Sequence, residues 1–138
     1  MKNKKPGKYI APYGANIQPH EIETAKFLNK LGKDVEFLMP SYTKGVSSPD
    51  ILMDGVIWEI KSPQGESKRT IDNNYRAAQK QAQNIIFDLR RIRIDETKAI
   101  SQIKYAFEHR KRRIMRIIII TKSNIHYFID FRKLFFSA

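Results

Sequence analysis

The amino-acid sequence predicts a mixed α/β domain, in which a sheet of parallel and antiparallel strands is covered by helices. Three observations predict this class. Helix-like and strand-like periodicities follow each other in the order α-β-β-β-α-β-α-β-β. Residues 117–120 are all isoleucine, a continuous apolar run typical of a strand that is covered on both faces. An Asp-Gly pair at residues 54–55, between two short apolar runs, indicates a β-hairpin.

The first predicted helix spans residues 20–31. Pro19 stands at its start, where the missing N–H costs nothing, and Gly32 ends it. At about 100° per residue, Ala25 and Leu28 share one face. This face is therefore expected to pack on the sheet.

The later elements follow from the same periodicities and from turn residues. In chain order they are strand 34–39, a polar loop at 41–48, hairpin strands 50–53 and 56–61, a polar loop at 62–70, a Gln/Ala-rich helix at 71–84, a buried strand at 85–89, a helix at 96–112, and strands 117–120 and 125–130. Residues 1–18 are basic and punctuated by Gly and Pro. We expect them to form an N-terminal arm that docks on a single domain of residues 19–138.

The composition excludes several kinds of site. The 138 residues contain no cysteine, so neither a disulfide nor a thiolate metal site can form. The three histidines are widely spaced and form no zinc pattern, which leaves oxygen-ligated hard cations as candidate metals. No apolar stretch reaches about 18 residues, so no membrane span is expected. The basic start at residues 1–5 is not followed by the apolar run of a signal peptide.

The charge balance indicates a polyanionic partner. The chain has 26 basic and 14 acidic residues, for a net charge of +12. Nucleic acid is the first choice for such a protein. An anionic membrane surface is the second, which the lack of a basic amphipathic helix with an aromatic face disfavours. Charge alone provides phosphate affinity without sequence preference.

The hairpin is expected to bring acidic residues together. If Asp54 and Gly55 form the two-residue turn, Asp50 lies directly opposite Glu59. Opposed residues have Cβ atoms about 4.5–5.5 Å apart, so the two carboxylates repel each other unless a divalent cation lies between them. Lys61 projects from the same face of the strand as Glu59. The alternative is a solvated strand face that carries a Glu–Lys neighbour pair.

The spacing Asp-x8-Glu-x-Lys, with Pro49 before Asp50, resembles the signature of the PD-(D/E)xK nuclease superfamily, which includes restriction endonucleases and Holliday-junction resolvases. The resemblance implies a restriction-endonuclease-like αβββαβ core, here followed by an extra helix and strands. It also implies that Asp50 and Glu59 bind Mg²⁺ or Mn²⁺, with a further oxygen from the backbone carbonyl of Ile60. Lys61 would assist the attacking water or stabilise charge on the phosphate.

Glu21 lies on the apolar face of the first helix, because it stands four residues before Ala25 and seven before Leu28. A carboxylate on a buried face needs a partner. In the nuclease superfamily, a helix before the hairpin commonly carries a glutamate to the metal. The resemblance therefore implies that Glu21 is a metal ligand and a catalytic residue. The alternative is that Glu21 only favours the helix dipole from the first turn.

A narrower resemblance covers residues 20–131. The runs that carry it are 19–25, 35–38, 48–52, 58–62 and 83–88. Together they are similar to the C-terminal tRNA-nuclease domain of bacterial contact-dependent growth-inhibition toxins and related polymorphic toxins. The resemblance implies a metal-dependent ribonuclease that cleaves tRNA and is neutralised by a dedicated immunity protein. Its location would be the cytoplasm of the producing or the target cell, with delivery as part of a larger toxin.

Basic and polar residues after the hairpin are candidate contacts to nucleic acid. The candidates are Ser62, Lys68, Arg69, Arg76, Lys80, Arg90 and Arg91, with a second basic cluster at 110–113. Tyr42 and Tyr75 are candidates for base stacking. For any single basic residue the alternative is a solvated face, and the cations of the second cluster also favour a helix C-terminus.

Two other functions stay open at this point. The same superfamily contains DNA endonucleases of the resolvase or repair type, and composition does not separate a DNA substrate from an RNA substrate. The other is a non-catalytic module that binds nucleic acid. The intact set of Asp50, Glu59 and Lys61 disfavours this second alternative.

Overall fold

The structure, a computed structural model, describes residues 5–40, 49–110 and 114–131. These ranges form one sheet, three α-helices and a short 3-10 helix. In chain order the elements are β1 (Tyr9–Ile10), α1 (Pro19–Lys30), β2 (Val35–Phe37), β3 (Ile51–Met53), β4 (Val56–Lys61), α2 (Thr70–Gln79), β5 (Asn84–Asp88), the 3-10 helix (Leu89–Arg91), α3 (Glu96–His109), β6 (Arg116–Ile120) and β7 (His126–Asp130). No helix in the described ranges is long and apolar enough to cross a membrane. The predicted mixed α/β class is confirmed.

The strands lie in the sheet in their chain order, from β1 to β7. The pairs β1–β2, β4–β5 and β5–β6 are parallel, and the other three pairs are antiparallel. A parallel pair needs a crossover connection. The helices α1, α2 and α3 supply these crossovers, one for each parallel pair. The mixed sheet therefore follows from where helices interrupt the chain.

Helices cover both faces of the sheet. On one face, α1 packs through Ala25 and Leu28 against Trp58 and Ile60 of β4. On the other face, α2 and α3 pack against alternate residues of β5 and β6. The isoleucines 117–120 divide between the two cores, so β6 is covered on both sides, as its apolar run predicts.

The hairpin of β3 and β4 has the predicted register. Asp54 and Gly55 have φ angles of 48° and 82°. These are the left-handed values of the two-residue turn that an Asp-Gly pair favours. From the turn back to Ile51, the first residue of β3, the two strands pair without a change of register. Continued by one residue, this register places Asp50 opposite Glu59.

The N-terminal segment is part of the sheet. Its strand β1 pairs with β2, and the N–H of Lys8 donates to the Asp34 carboxylate at 2.8 Å. The backbone at Gly7 lies so close to Lys33 that a Cβ would stand 2.1 Å from the Lys33 carbonyl oxygen. Only glycine fits this approach. The arm thus docks through a strand, while the proposed domain boundary at residue 18 stays a prediction.

The predicted helix at 71–84 ends earlier, because α2 stops at Gln79. Asn84 instead begins β5, and its side-chain amide donates to the carbonyl of Ile57 on β4 at 3.0 Å. Sheet pairing therefore outweighs the helical composition of this segment. At the other end of β5, Leu89 turns out of the predicted strand into the 3-10 helix.

Tyr75 is not an exposed stacking platform, and that expectation is wrong. Its side chain is fully buried and stacks on Phe87, with ring centroids 6.0 Å apart. The predicted helix at 96–112 is α3, which ends at His109 with Arg110 as its cap. Residues 111–113, the loop at 41–48 and the stacking candidate Tyr42 lie outside the described residues.

Candidate functional site

Asp50 lies beside β4, directly before β3 begins. Its N–H donates to the carbonyl of Trp58 at 3.2 Å, and its carboxylate accepts the N–H of Ile60 at 2.8 Å. The Asp50 carboxylate therefore accepts a hydrogen bond from β4 that the backbone carbonyl of a further strand residue would otherwise accept. This double attachment holds the Asp50 carboxylate next to Glu59.

Glu59 and Lys61 form an ion pair on one side of β4, with 3.3 Å between Oε2 and Nζ. Glu59 is only 3% exposed, whereas 21% of the Lys61 side chain is accessible. The second oxygen of Glu59, Oε1, has no hydrogen-bond partner within the described structure. A buried carboxylate oxygen without a donor or a cation is costly. This atom is therefore the one in the site that a ligand would satisfy.

The protonation of Glu59 reflects this environment. Burial and the charge of the neighbouring Asp50 carboxylate raise the pKa of Glu59 to about 8, against the opposing effect of Lys61. A carboxyl group with a pKa of about 8 keeps its proton at neutral pH. Near neutral pH the pair therefore holds a proton. A divalent cation favours the ionised form of both groups and would displace that proton.

Glu21 caps the start of α1, and its role as a metal ligand stays a prediction. Its Oε1 accepts the N–H of Gln18 at 2.9 Å, which caps the start of α1. Burial raises the pKa of Glu21, and the charge and a hydrogen bond of Asp50 act in the same direction. The Gln18 bond and the Lys61 charge oppose the rise. The cap thus fixes the start of α1, and this start places the carboxylate beside Asp50.

The backbone of Ile60 faces the same carboxylate. The N–H and C=O of one strand residue point to the same edge, so the Ile60 carbonyl also points to the Asp50 side of β4. Carboxylate and carbonyl oxygens are the ligands that Mg²⁺ and Mn²⁺ prefer. Across residues 5–40, 49–110 and 114–131, however, no three or more His, Cys, Asp or Glu side chains lie together so that they could hold a metal ion. A cation here would need the carbonyl and water as further ligands.

His20 belongs to the site, although the sequence reasoning did not identify it. Burial and the Arg91 charge lower the pKa of His20, while the carboxylates of Asp50 and Asp88 act in the opposite direction. The balance favours the neutral imidazole. The one available signal was its place directly before Glu21 on α1.

Asp88, at the end of β5, anchors α1 to the sheet. Its carboxylate accepts the hydroxyl of Thr24 at 2.6 Å and the Nη2 and Nε atoms of Arg90 at 2.7 and 2.9 Å. Burial raises the pKa of Asp88, but the hydrogen bonds from Arg90 and Thr24 outweigh it, so the pKa lies below its usual value. The Arg90 guanidinium also lies 4.9 Å from the ring centroid of Phe27. Arg90 is thus engaged within the protein, and its contact with nucleic acid stays a prediction.

Ser62 and Arg91 join the end of β4 to the 3-10 helix. The Arg91 guanidinium donates to the Ser62 hydroxyl at 2.8 Å and to the Ser62 carbonyl at 2.7 Å. A cavity of about 220 Å³ at this junction is lined in part by His20, Ser62, Asp88 and Arg91. Ligands of open α/β sheets bind at the carboxyl ends of parallel strands, and this cavity lies at those ends of β4 and β5.

The remaining candidates for phosphate contact lie around α2 and not among the carboxylates. Lys68 and Arg69 are exposed directly before the helix, and Lys80 is exposed at its end. Arg76 pairs with Asp72 at 3.3 Å, and 61% of its side chain is accessible. Their contact with nucleic acid stays a prediction.

Comparisons with known proteins agree with this fold. The family described as the contact-dependent growth inhibition CdiA C-terminal domain matches residues 47–125. Among curated proteins, none matches the sequence. A solved structure, the CdiA-CT/CdiI toxin and immunity complex from Burkholderia pseudomallei, contains a similar chain with a TM-score of 0.61 and 19% identity. The match covers 88% of the present chain and 98% of the other. At this identity the likeness shows the fold alone.

Proposed function

The chain belongs to the CdiA C-terminal domain family of contact-dependent growth inhibition, and on this basis we propose that it is a toxin domain and a metal-dependent nuclease of the PD-(D/E)xK type. We assign the reaction to Asp50, Glu59 and Lys61, with Glu21 in support. The substrate that we favour is tRNA, on the family resemblance and on the net charge of +12.

One observation carries the proposal more than any other. The carboxyl of Glu59 is buried beside a second carboxyl, its pKa is raised to about 8, and one of its oxygens has no partner in the described structure. A purely structural role would not retain so unfavourable a pair, because an uncharged residue would fit better. A divalent cation at this point satisfies the orphan oxygen and removes the repulsion.

The residues would divide the work as follows. Asp50, Glu59 and the carbonyl of Ile60 would hold the cation, and Glu21 would support it from α1. Bound Mg²⁺ or Mn²⁺ polarises a phosphate and lowers the pKa of water. The Lys61 ammonium, partly exposed and fixed by Glu59, stabilises negative charge on the phosphate or orients the attacking water.

A cognate immunity protein is the partner that we propose. The solved relative is a complex of a toxin with its immunity protein. An excess of positive charge on the present chain suits a partner that mimics nucleic acid with an acidic surface. We place the action of the domain in the cytoplasm of a target cell, where tRNA is found.

The test compares cleavage by the wild type and by two matched variants. Total tRNA and duplex DNA are incubated with each protein in Mg²⁺ or in EDTA. Glu59→Gln removes the charge from the site, while Glu36→Gln makes the same change on β2. We expect discrete tRNA fragments only in Mg²⁺, and only from the wild type and Glu36→Gln. The rate of Glu59→Gln should fall by more than about 100-fold, since even residues that merely support a metal ligand cost 10–100-fold.

Other outcomes revise the proposal at different points. Cleavage in EDTA would show that the reaction needs no metal ion. Full activity of Glu59→Gln would show that Glu59 is not part of the active site. Cleavage of duplex DNA in place of tRNA would make the protein a DNA endonuclease. Binding without cleavage of either substrate would leave a non-catalytic module.

A further inference from the structure

A second cavity, of about 630 Å³, lies between α2 and α3. Lys68 and Asp72 line it near the start of α2, and Tyr105, His109 and Arg110 line it near the end of α3. This α2–α3 groove is a separate feature, because its lining includes none of the proposed active-site residues Glu21, Asp50, Glu59 and Lys61. Its volume falls within the range of small-ligand pockets, about 300–1,000 Å³.

Tyr105 presents a fixed aromatic surface in the groove. It is 65% exposed, and its ring stacks on His109 with centroids 4.0 Å apart and planes 16° from parallel. The Nδ1 atom of His109 lies 2.9 Å from the Tyr105 carbonyl. Because a carbonyl oxygen only accepts, this nitrogen donates. The stack and the bond hold both rings in place, so a ligand that covers Tyr105 loses little side-chain entropy.

Positive charge surrounds the groove. The hydrogen bond from Arg110 holds the pKa of Asp72 below its usual value, and the charges of Arg110, Arg76 and Arg69 act in the same direction. Lys68 adds a cation on the groove wall. Three cations therefore act on the Asp72 carboxylate and a fourth, Lys68, lines the groove, so the sum of these charges is positive.

We propose that the α2–α3 groove binds one unpaired nucleotide of the nucleic-acid substrate, with the base stacked on Tyr105 and a phosphate held by Lys68. The proposal rests on the proposed function, because it provides that enzyme with a second contact to its substrate. The nucleotide must be unpaired, since only an unstacked base exposes its face to a side chain. Stacking tolerates every base, so the groove recognises a strand and not a sequence.

The test separates the base from the phosphate. Two fluorescein-labelled RNAs of equal length and charge are compared by fluorescence anisotropy in EDTA, one an oligouridine and the other lacking all its bases. We expect the wild type to bind the oligouridine at least about fivefold more tightly, the lower limit for base–aromatic stacking. Tyr105→Ala should remove this difference, while Tyr105→Phe should keep it. Tyr13→Ala, at an exposed tyrosine outside the groove, is the matched control.

Lys68→Ala should lower the affinity for both probes by the same factor. It should also reduce the slope of log affinity against log salt by about one. If the wild type binds both probes equally, or if Tyr105→Ala retains the preference for bases, the proposal is overturned. These measurements need no cleavage, so they are independent of the nuclease assay. If binding depends on the bases and on Tyr105 but the protein cleaves neither substrate, nucleotide binding in the α2–α3 groove is supported and the nuclease proposal is rejected. If the protein cleaves its substrate but Tyr105→Ala does not change binding, the nuclease proposal is supported and the groove proposal is rejected.

Discussion

The carboxyl group of Glu59 lowers the stability of the folded protein. It is buried and lies next to the Asp50 carboxyl, and its ion pair with Lys61 offsets only part of the cost. Groups held in such unfavourable surroundings concentrate at functional sites. If Glu59 holds a metal ion as proposed, stability and activity make opposite demands on this one residue.

This conflict predicts a pH dependence. Between pH 4.5 and about 8 the unfolded Glu59 has lost its proton, while the folded residue keeps it. The folded state binds more protons in this window, so the free energy of unfolding falls as the pH rises, by at most about 1.4 kcal/mol per pH unit. Urea denaturation in EDTA measures this slope.

Glu59→Gln should flatten the slope, and Glu36→Gln is the matched control for the loss of one carboxyl group. The nearby groups that also titrate, Glu21 and His20, are present in all three proteins, so the difference between them isolates Glu59. Identical slopes for the wild type and Glu59→Gln would contradict the raised pKa.

The sequence predicts the site residues of the β-hairpin better than the site residues of the helices. The opposition of Asp50 and Glu59 follows from the turn and the period of two along a strand, which are local properties. The place of His20 depends on how α1 docks on the sheet, and the place of Tyr105 depends on how α2 meets α3. Helix periodicity assigns a residue to a face but does not say what that face meets.

At the scale of elements, the end of β5 joins three parts of the fold. Asp88 links β5 to α1 through Thr24 and to the 3-10 helix through Arg90. The sequence predicts helices and strands correctly in kind here, because each has a long enough periodic run. It does not predict where they end, because ends depend on tertiary bonds such as that between Asn84 and the Ile57 carbonyl.

Arg90 and Lys80 should therefore behave differently, although both are candidate phosphate contacts. Arg90→Ala removes two hydrogen bonds to the buried Asp88 carboxylate and should lower the free energy of unfolding by about 2–3 kcal/mol. Lys80→Ala removes an exposed side chain and should change stability by less than about 0.5 kcal/mol. Urea denaturation of both variants decides this, and equal stabilities would show that Arg90 does not anchor the fold.

At the scale of the whole molecule, the net charge of +12 predicts how the proposed binding of nucleic acid depends on salt. The exposed basic residues around α2 offer contacts from Lys68, Arg69, Arg76 and Lys80. Four phosphate contacts predict a slope of about −3 for log affinity against log salt on single-stranded nucleic acid. Affinity for tRNA in EDTA should then fall more than tenfold from about 50 to 200 mM salt. Anisotropy titrations over this range test it, and an affinity independent of salt would exclude phosphate contact as the source of binding.

The fold class was predictable because the periodicities alternate along the chain and because the strand at 117–120 is apolar on both sides. The parallel pairs β4–β5 and β5–β6 also follow, since each has a predicted helix between its strands. The first strand was not predictable, because two residues at Tyr9 and Ile10 carry no periodic signal and are defined only by their pairing with β2.

The order of the sheet also bears on how the protein reaches its native state. Each strand pairs with the strands directly before and after it in the chain, so none has to insert between two that have already joined. The β3–β4 and β6–β7 pairs close short segments and can form early, whereas each parallel pair has to close across a helix, which is slower. A chain of this kind that emerges end first, from a ribosome or through a narrow pore, can begin to build its sheet before its last residues arrive.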